Sequence, residues 1–141
     1  MSARIVELSR VAAAAANADG SREPVDLGAE EFSFWTGASS QRYVHSVFSL
    51  IGCPELPAAN YMLVKRDARG RRKVLRIGRT EHDAPSLNLA EIRHRGAKLG
   101  ANEVHVHLLS RNVGERRVVE MDLRAAHFTG ARDEGSAYAR Y

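Results

Sequence analysis

Residues 60–79 read Asn60-Tyr61-Met62-Leu63-Val64-Lys65-Arg66-Asp67-Ala68-Arg69-Gly70-Arg71-Arg72-Lys73-Val74-Leu75-Arg76-Ile77-Gly78-Arg79. Two apolar runs flank a turn rich in Asp and Gly. That pattern predicts a β-hairpin with arms at residues 59–66 and 72–77 and a turn at 67–70. The hairpin is strongly basic. Lys65, Arg66, Arg69, Arg71, Arg72, Lys73, Arg76 and Arg79 are eight of the chain's 21 Lys and Arg, and Asp67 alone opposes them. Alternate side chains of a strand share a face, so several of these cations must project together. Guanidinium groups bind phosphate oxygens through paired, charge-assisted hydrogen bonds, so the cluster suits a nucleic-acid backbone. A solvated hairpin tip is the plainer alternative.

Moving toward the C-terminus, residues 80–85 read as a loop. A helix follows, with Ser86 as its N-cap, an apolar stripe of Leu89, Ile92 and Leu99, and Gly100 as the terminating glycine. Residues 103–110 form a strand with Val104, Val106 and Leu108 on one face. Residues 115–127 form a second helix facing inward through Val119, Leu123 and Ala126. Residues 129–141 are small, polar and charged and read as a loose tail.

Toward the N-terminus, the two prolines of residues 52–57 separate the hairpin from a strand at residues 42–51. Tyr43, Val47 and Ser49 lie on one of its faces, and Val44, Ser46, Phe48 and Leu50 on the other. Phe32, Phe34 and Trp35 form an aromatic patch before it. Residues 20–28 read as a linker, and the alanine-rich residues 2–18 favour a helix. The expected organisation is therefore an N-terminal segment and linker at 1–28, one domain at 29–128 and a tail at 129–141. The fold class is α+β: a small mixed or antiparallel sheet flanked by helices, with an additional N-terminal strand.

With 141 residues and 44% apolar side chains, the chain can bury one modest core. The net charge of +4 suits an anionic partner. The lone Cys53 excludes an intrachain disulfide framework and a Cys-cluster zinc site. No run approaches the roughly 20 apolar residues of a membrane span, and Glu7 and Arg10 interrupt any signal-peptide core. No membrane partner is expected, and the cytoplasm is the expected setting.

Hairpin, Arg/His-bearing helix, strand and acidic helix, in that order, resemble the core of the GIY-YIG nuclease family. Asn60-Tyr61-Met62 falls on the first tripeptide and Arg76-Ile77-Gly78 on the second. Arg93-His94 falls on the family's helix, and Glu120 falls on the position of the metal-binding Glu. The resemblance covers about half of the chain. It implies a three-stranded sheet on which tyrosines and an arginine gather round a scissile phosphate and a glutamate holds one divalent metal. Carried over, it makes Tyr61, Arg93 and Glu120 the catalytic residues, with Arg79 the rival to Arg93 as the phosphate-binding arginine and Glu120 holding Mg²⁺ or Mn²⁺ if the chain is active. Arg76 stands where the second tyrosine belongs, and a guanidinium cannot accept a proton. The expected function is thus nucleic-acid binding, DNA ahead of RNA, with cleavage weak or lost.

An active endonuclease, with Tyr43 replacing the missing tyrosine, is one alternative. A protein-interaction module using Phe32, Phe34 and Trp35, with a partner or a second copy of this chain, is another. His105 and His107, two apart on a strand, form a further pair with metal-ligand chemistry.

Overall fold

The computed structural model describes residues 27–128. The alanine-rich stretch at 2–18, most of the linker and the tail at 129–141 lie outside the described residues. Five strands, β1 (Glu31–Thr36), β2 (Arg42–Ser49), β3 (Asn60–Arg66), β4 (Arg72–Arg79) and β5 (Glu103–His107), form one sheet in the order β1-β2-β5-β3-β4. Every neighbouring pair is antiparallel. Helices α1 (Pro85–Leu99) and α2 (Val113–His127) complete an α+β fold. None of the described helices is long and apolar enough to cross a membrane.

The hairpin of β3 and β4 forms as its turn chemistry dictates. Gly70 adopts a left-handed φ of 84°, and the Asp67 carboxylate accepts from the backbone N–H groups of Arg69 and Arg71, each at 2.9 Å. One arm carries a β-bulge. Leu63 pairs with Arg76 but Val64 pairs with Val74, so Leu75 is the extra residue. The bulge resets the alternation of side chains. Leu75 enters the core cluster of Leu63, Tyr61 and Ile92, and Arg76, its neighbour, comes onto the same face.

β4 and β5 both run antiparallel to β3, so their connection must cross the sheet, and α1 makes that crossing. Its N-cap is Ala84 with Pro85 at the first position, not Ser86. Proline replaces a side-chain cap here because its missing N–H would have no helical partner. Gly100 closes the helix with a left-handed φ of 79°. Buried Ile92 and half-buried Leu89 and Leu99 cover the core of Tyr61, Leu63, Val104 and Val106. Gly96 meets Leu50: a Cβ there would come within 2.6 Å of Leu50 Cδ1.

α2 covers the other face through Val119 and Leu123, which pack on Tyr43, Met62, Val64 and Ile77. Asn112 caps it, its side chain accepting from Glu115 N at 2.8 Å. The sheet thus has an α1 face and an α2 face, each with its own apolar cluster.

The aromatic patch is a strand. β1 pairs with β2 along its whole length, adding an edge beyond the single extra strand expected. Glu31, Ser33 and Trp35 alternate with Phe32 and Phe34, the period-2 pattern of a strand. None of the three aromatic residues is exposed. Trp35 packs on the α2 face, and the Arg42 guanidinium lies 4.5 Å from the Phe34 ring centroid.

Candidate nucleic-acid interface

The charges of the hairpin separate by face. On the α2 face, Arg72 donates to Glu103 at 2.9 Å and to Glu31 at 2.7 Å. Arg66 lies 3.5 Å from Glu103 and 3.8 Å from Glu31. Burial alone would raise the Glu103 carboxyl, but hydrogen bonds from His105 and Arg72 outweigh it and hold the group below the usual carboxylate range. Arg79 binds Glu120 and stands 2.8 Å from Glu81, the latter an ion pair without hydrogen-bond alignment. At the tip, Arg71 pairs with Asp67 at 2.9 Å.

The α1 face lacks these carboxylates. Lys65 stands opposite Lys73, and Arg76 opposite Leu63. Among the described residues, Lys65, Lys73 and Arg76 have no ion-pair partner, and neither has Arg69 at the tip. Two lysines directly across an antiparallel pair repel each other, a cost of a few tenths of a kcal/mol upward. Helix α1 adds its own cations to this side. A concavity of about 290 Å³ is lined by Arg76, His94, Arg95, Lys98 and Leu99. Arg95 is partly countered by Glu91 at 3.3 Å. Two larger hollows, of about 510 and 690 Å³, lie elsewhere, and each is lined by a single Lys or Arg.

Tyr61 lies beneath this surface. It is 1% exposed, and its hydroxyl accepts from Arg76 Nε at 3.3 Å. Gly78 faces it across the strand pair. A Cβ on Gly78 would lie 2.9 Å from the Tyr61 hydroxyl and 3.0 Å from Cζ, so the ring needs glycine there. Arg76 and Gly78 therefore form a built contact with Tyr61, while Ile77 between them faces α2.

The three residues that the resemblance assigns to catalysis do not meet. Tyr61 belongs to the α1 face. Arg93 leaves α1 in another direction: its Nη2 donates to the carbonyls of Ile51 and Cys53 at 2.8 and 3.1 Å, bracing the loop after β2. Glu120 sits across the sheet on α2, where Arg79 engages Oε1 and Arg124 engages Oε2 at 3.2 Å. Both carboxylate oxygens already serve guanidinium groups, so Glu120 does not fit a divalent cation. A metal there would have to displace two arginines, and no group of three or more His, Cys, Asp or Glu among the described residues could hold one.

His105 and His107 do point the same way, toward α2, as their spacing requires. They are not a free ligand pair. Trp35 Nε1 donates to His105 Nδ1 at 3.0 Å, and His105 Nε2 donates to Glu103 at 2.9 Å, so both ring nitrogens are engaged. His107 Nδ1 donates to the Val44 carbonyl at 2.8 Å. Tyr43, the other tyrosine weighed for catalysis, donates to Asp122 at 2.7 Å; burial, then that carboxylate, push its pKa up to about 12.

Arg95 and Lys98 line the same concavity as Arg76 but lie outside the hairpin's cluster of cations. Their spacing carries the signal: His94, Arg95 and Lys98 fall at i, i+1 and i+4, and residues three or four apart share a helix face. No protein-family model, curated protein or solved structure matches this chain.

Proposed function

We propose that this chain binds nucleic acid, DNA ahead of RNA, through the α1 face, on a scaffold resembling that of the GIY-YIG nucleases. The observation that carries the reading is the division of the hairpin's charge. Acids neutralise the cations on one face and leave those on the other open. A sequence that only needed solubility would gain nothing from placing Lys65 against Lys73, and a phosphate backbone lying across both would offset their repulsion. The arrangement of β4, β3 and β5 with α1 supports the family likeness: it is a three-stranded antiparallel unit built from hairpin, helix and strand. Arg76 then takes the place of a catalytic tyrosine as a phosphate-binding cation. Hydrolysis is not part of the reading, because Tyr61 and Glu120 stand on opposite faces.

The test is a binding titration with labelled single- and double-stranded DNA and RNA at several salt concentrations, with Mg²⁺, Mn²⁺ or EDTA. If Lys65, Lys73, Arg76 and Lys98 each neutralise one phosphate, log affinity for duplex DNA should fall with log salt at a slope of about −3.6. Charge reversal at Lys65 and Lys73 should abolish binding, and Arg71→Ala should leave it nearly intact. A slope near zero, or equal loss in both variants, would remove the proposal. Metal-dependent cleavage lost in Glu120→Ala would replace it with the endonuclease reading.

A further inference from the structure

Between the sheet and α2 lies a cluster of four imidazoles. His45 comes from β2, His105 and His107 from β5, and His127 from the last turn of α2. His45 and His105 are completely buried and His107 is 3% exposed. The His45 and His107 rings lie 5.4 Å apart. Trp35, the chain's one tryptophan, meets His105 edge-on at 5.6 Å and His127 at 5.3 Å.

For three of the four rings the hydrogen bonds favour the neutral state. An indole N–H can only donate, so His105 Nδ1 must be a lone pair and His105 neutral. His45 donates Nδ1–H to the Tyr43 carbonyl at 2.9 Å, and its buried Nε2 has no hydrogen-bond partner among the described residues. His127 bonds the Thr36 backbone, and its buried Nε2 likewise has none among them. A second proton on His45 or His127 would create a buried N–H that none of the described residues accepts. One on His105 would break the Trp35 bond.

The surrounding charges compensate only in part: Glu103, 2.9 Å from His105 Nε2, and Glu31 favour a charged His105, but burial outweighs them. From β1 comes Glu31 and from β5 Glu103, and Arg66 of β3 and Arg72 of β4 already hold both. From β2 comes Tyr43, whose partner Asp122 on α2 also accepts from Ser39. Glu120 of α2 is held by Arg79 of β4 and Arg124. His45 faces other imidazoles: burial first, then His107, pushes it well below the usual histidine range. Burial is also the first cause lowering His105, His107 and His127.

We infer that the docking of α2 on the sheet is an acid-sensitive latch, closed while the four histidines are neutral and opened when they take up protons together. The sign follows from linkage. Each histidine titrates lower when folded than when free, so the latch is at full strength above the free value of about 6.5. It weakens as pH falls below that value. Opening would lift His127 away from Trp35 and separate Glu120 from Arg79. The basic α1 face lies on the other side of the sheet.

Trp35 is a built-in reporter. The full chain would be followed between about pH 7.5 and 5 by Trp35 emission and by amide exchange, residue by residue. The expected result is a change in Trp35 emission below about pH 6.5, with α2 amides losing protection while those of α1 keep theirs. Proton uptake should exceed one per molecule, and His45→Phe should move the midpoint to lower pH. Unchanged emission and α2 protection down to about pH 5 would overturn the inference. So would loss of α1 and α2 protection together, which would mean plain acid unfolding. If His45→Phe fails to fold, the imidazole resonances of the unaltered protein decide. Four rings titrating independently near the free value, with α2 still protected, would overturn it; cooperative titration with α2 exchange would support it.

Discussion

The two faces of the sheet use the same residue types to opposite ends. On the α2 face, Arg66, Arg72 and Arg79 meet Glu31, Glu103, Glu81 and Glu120, and the charges serve to hold strands and helix in register. On the α1 face, Lys65, Lys73 and Arg76 have no carboxylate among the described residues and ring a packed apolar core. The difference teaches that the charge of a strand segment has no single meaning. Eight cations in 15 residues look like one patch in the sequence, yet the pleat sorts them into a structural set and an open set.

The largest expected effect lies on the paired face. Glu103→Ala leaves Arg72 and His105 facing a lost acceptor beside Arg66, and should cost about 3 kcal/mol of stability in urea unfolding. Nucleic-acid affinity per folded molecule should be unchanged. A collapse of affinity at constant folded fraction would show that the faces are not independent.

Gly78→Ala tests the floor of the open face. The new Cβ would press on the Tyr61 ring, costing about 2 kcal/mol, and would displace Arg76 from the Tyr61 hydroxyl. Affinity should drop with stability here, in contrast to Glu103→Ala.

Asp122→Asn sharpens the picture of the α2 face at its far edge. Asp122 accepts from Ser39 N, Ser39 Oγ and Tyr43, and the variant should lose about 1.5 kcal/mol. Burial would raise this carboxyl, but the hydrogen bonds from Ser39 and Tyr43 prevail and lower it. Its contribution is therefore present above the ordinary value near 3.8 and disappears as pH falls through the folded one. The Tyr43 hydroxyl has the opposite sign. With its pKa raised from 10.0 to about 12, its contribution holds below pH 10 and is lost as pH rises toward about 12. Unfolding followed against pH should show both limbs in the parent and neither as steeply in the variant.

The smallest change in stability should accompany a large change in binding. Lys65→Gln or Lys73→Gln removes a like-charge pair and should stabilise the fold by about 0.3 kcal/mol. Each should also reduce the steepness of the salt dependence by about 0.9. A destabilised variant with unchanged binding would reverse the assignment of this face.

Much of the fold was legible because the periods are clean. Val104 and Val106 alternate as a strand must, although β5 ends at His107, short of the expected residue 110, and Leu89, Ile92 and Leu99 recur as a helix face must. The aromatic run Phe32–Trp35 was harder, because a six-residue edge strand with aromatic residues on both faces resembles a sticky patch. The bulge at Leu75 left no mark in composition, so the side to which Arg76 points could not be read. The ion pairs were also out of reach. Glu103 lies 31 residues from Arg72 and Glu120 lies 41 from Arg79, and such partners are chosen by sheet order. The catalytic triad of the resemblance failed to assemble for the same reason: element order places residues along a chain, not on a common face. His105 and His107 look like possible ligands because a sequence does not show that Trp35, Glu103 and the Val44 carbonyl already occupy them.

The extra residue in β4 makes the hairpin unequally tolerant of changes in length. Its tip, residues 67–71, can gain or lose residues while both arms keep their pairing. The arm at 74–76 keeps its pairing but not its packing. Removing Leu75 would leave a regular ladder, Val74 opposite Val64 and Arg76 opposite Leu63, so Arg76 would hold its face while the α1-side core lost a leucine. A single-codon deletion there would thus hollow the core while sparing every cation and its direction.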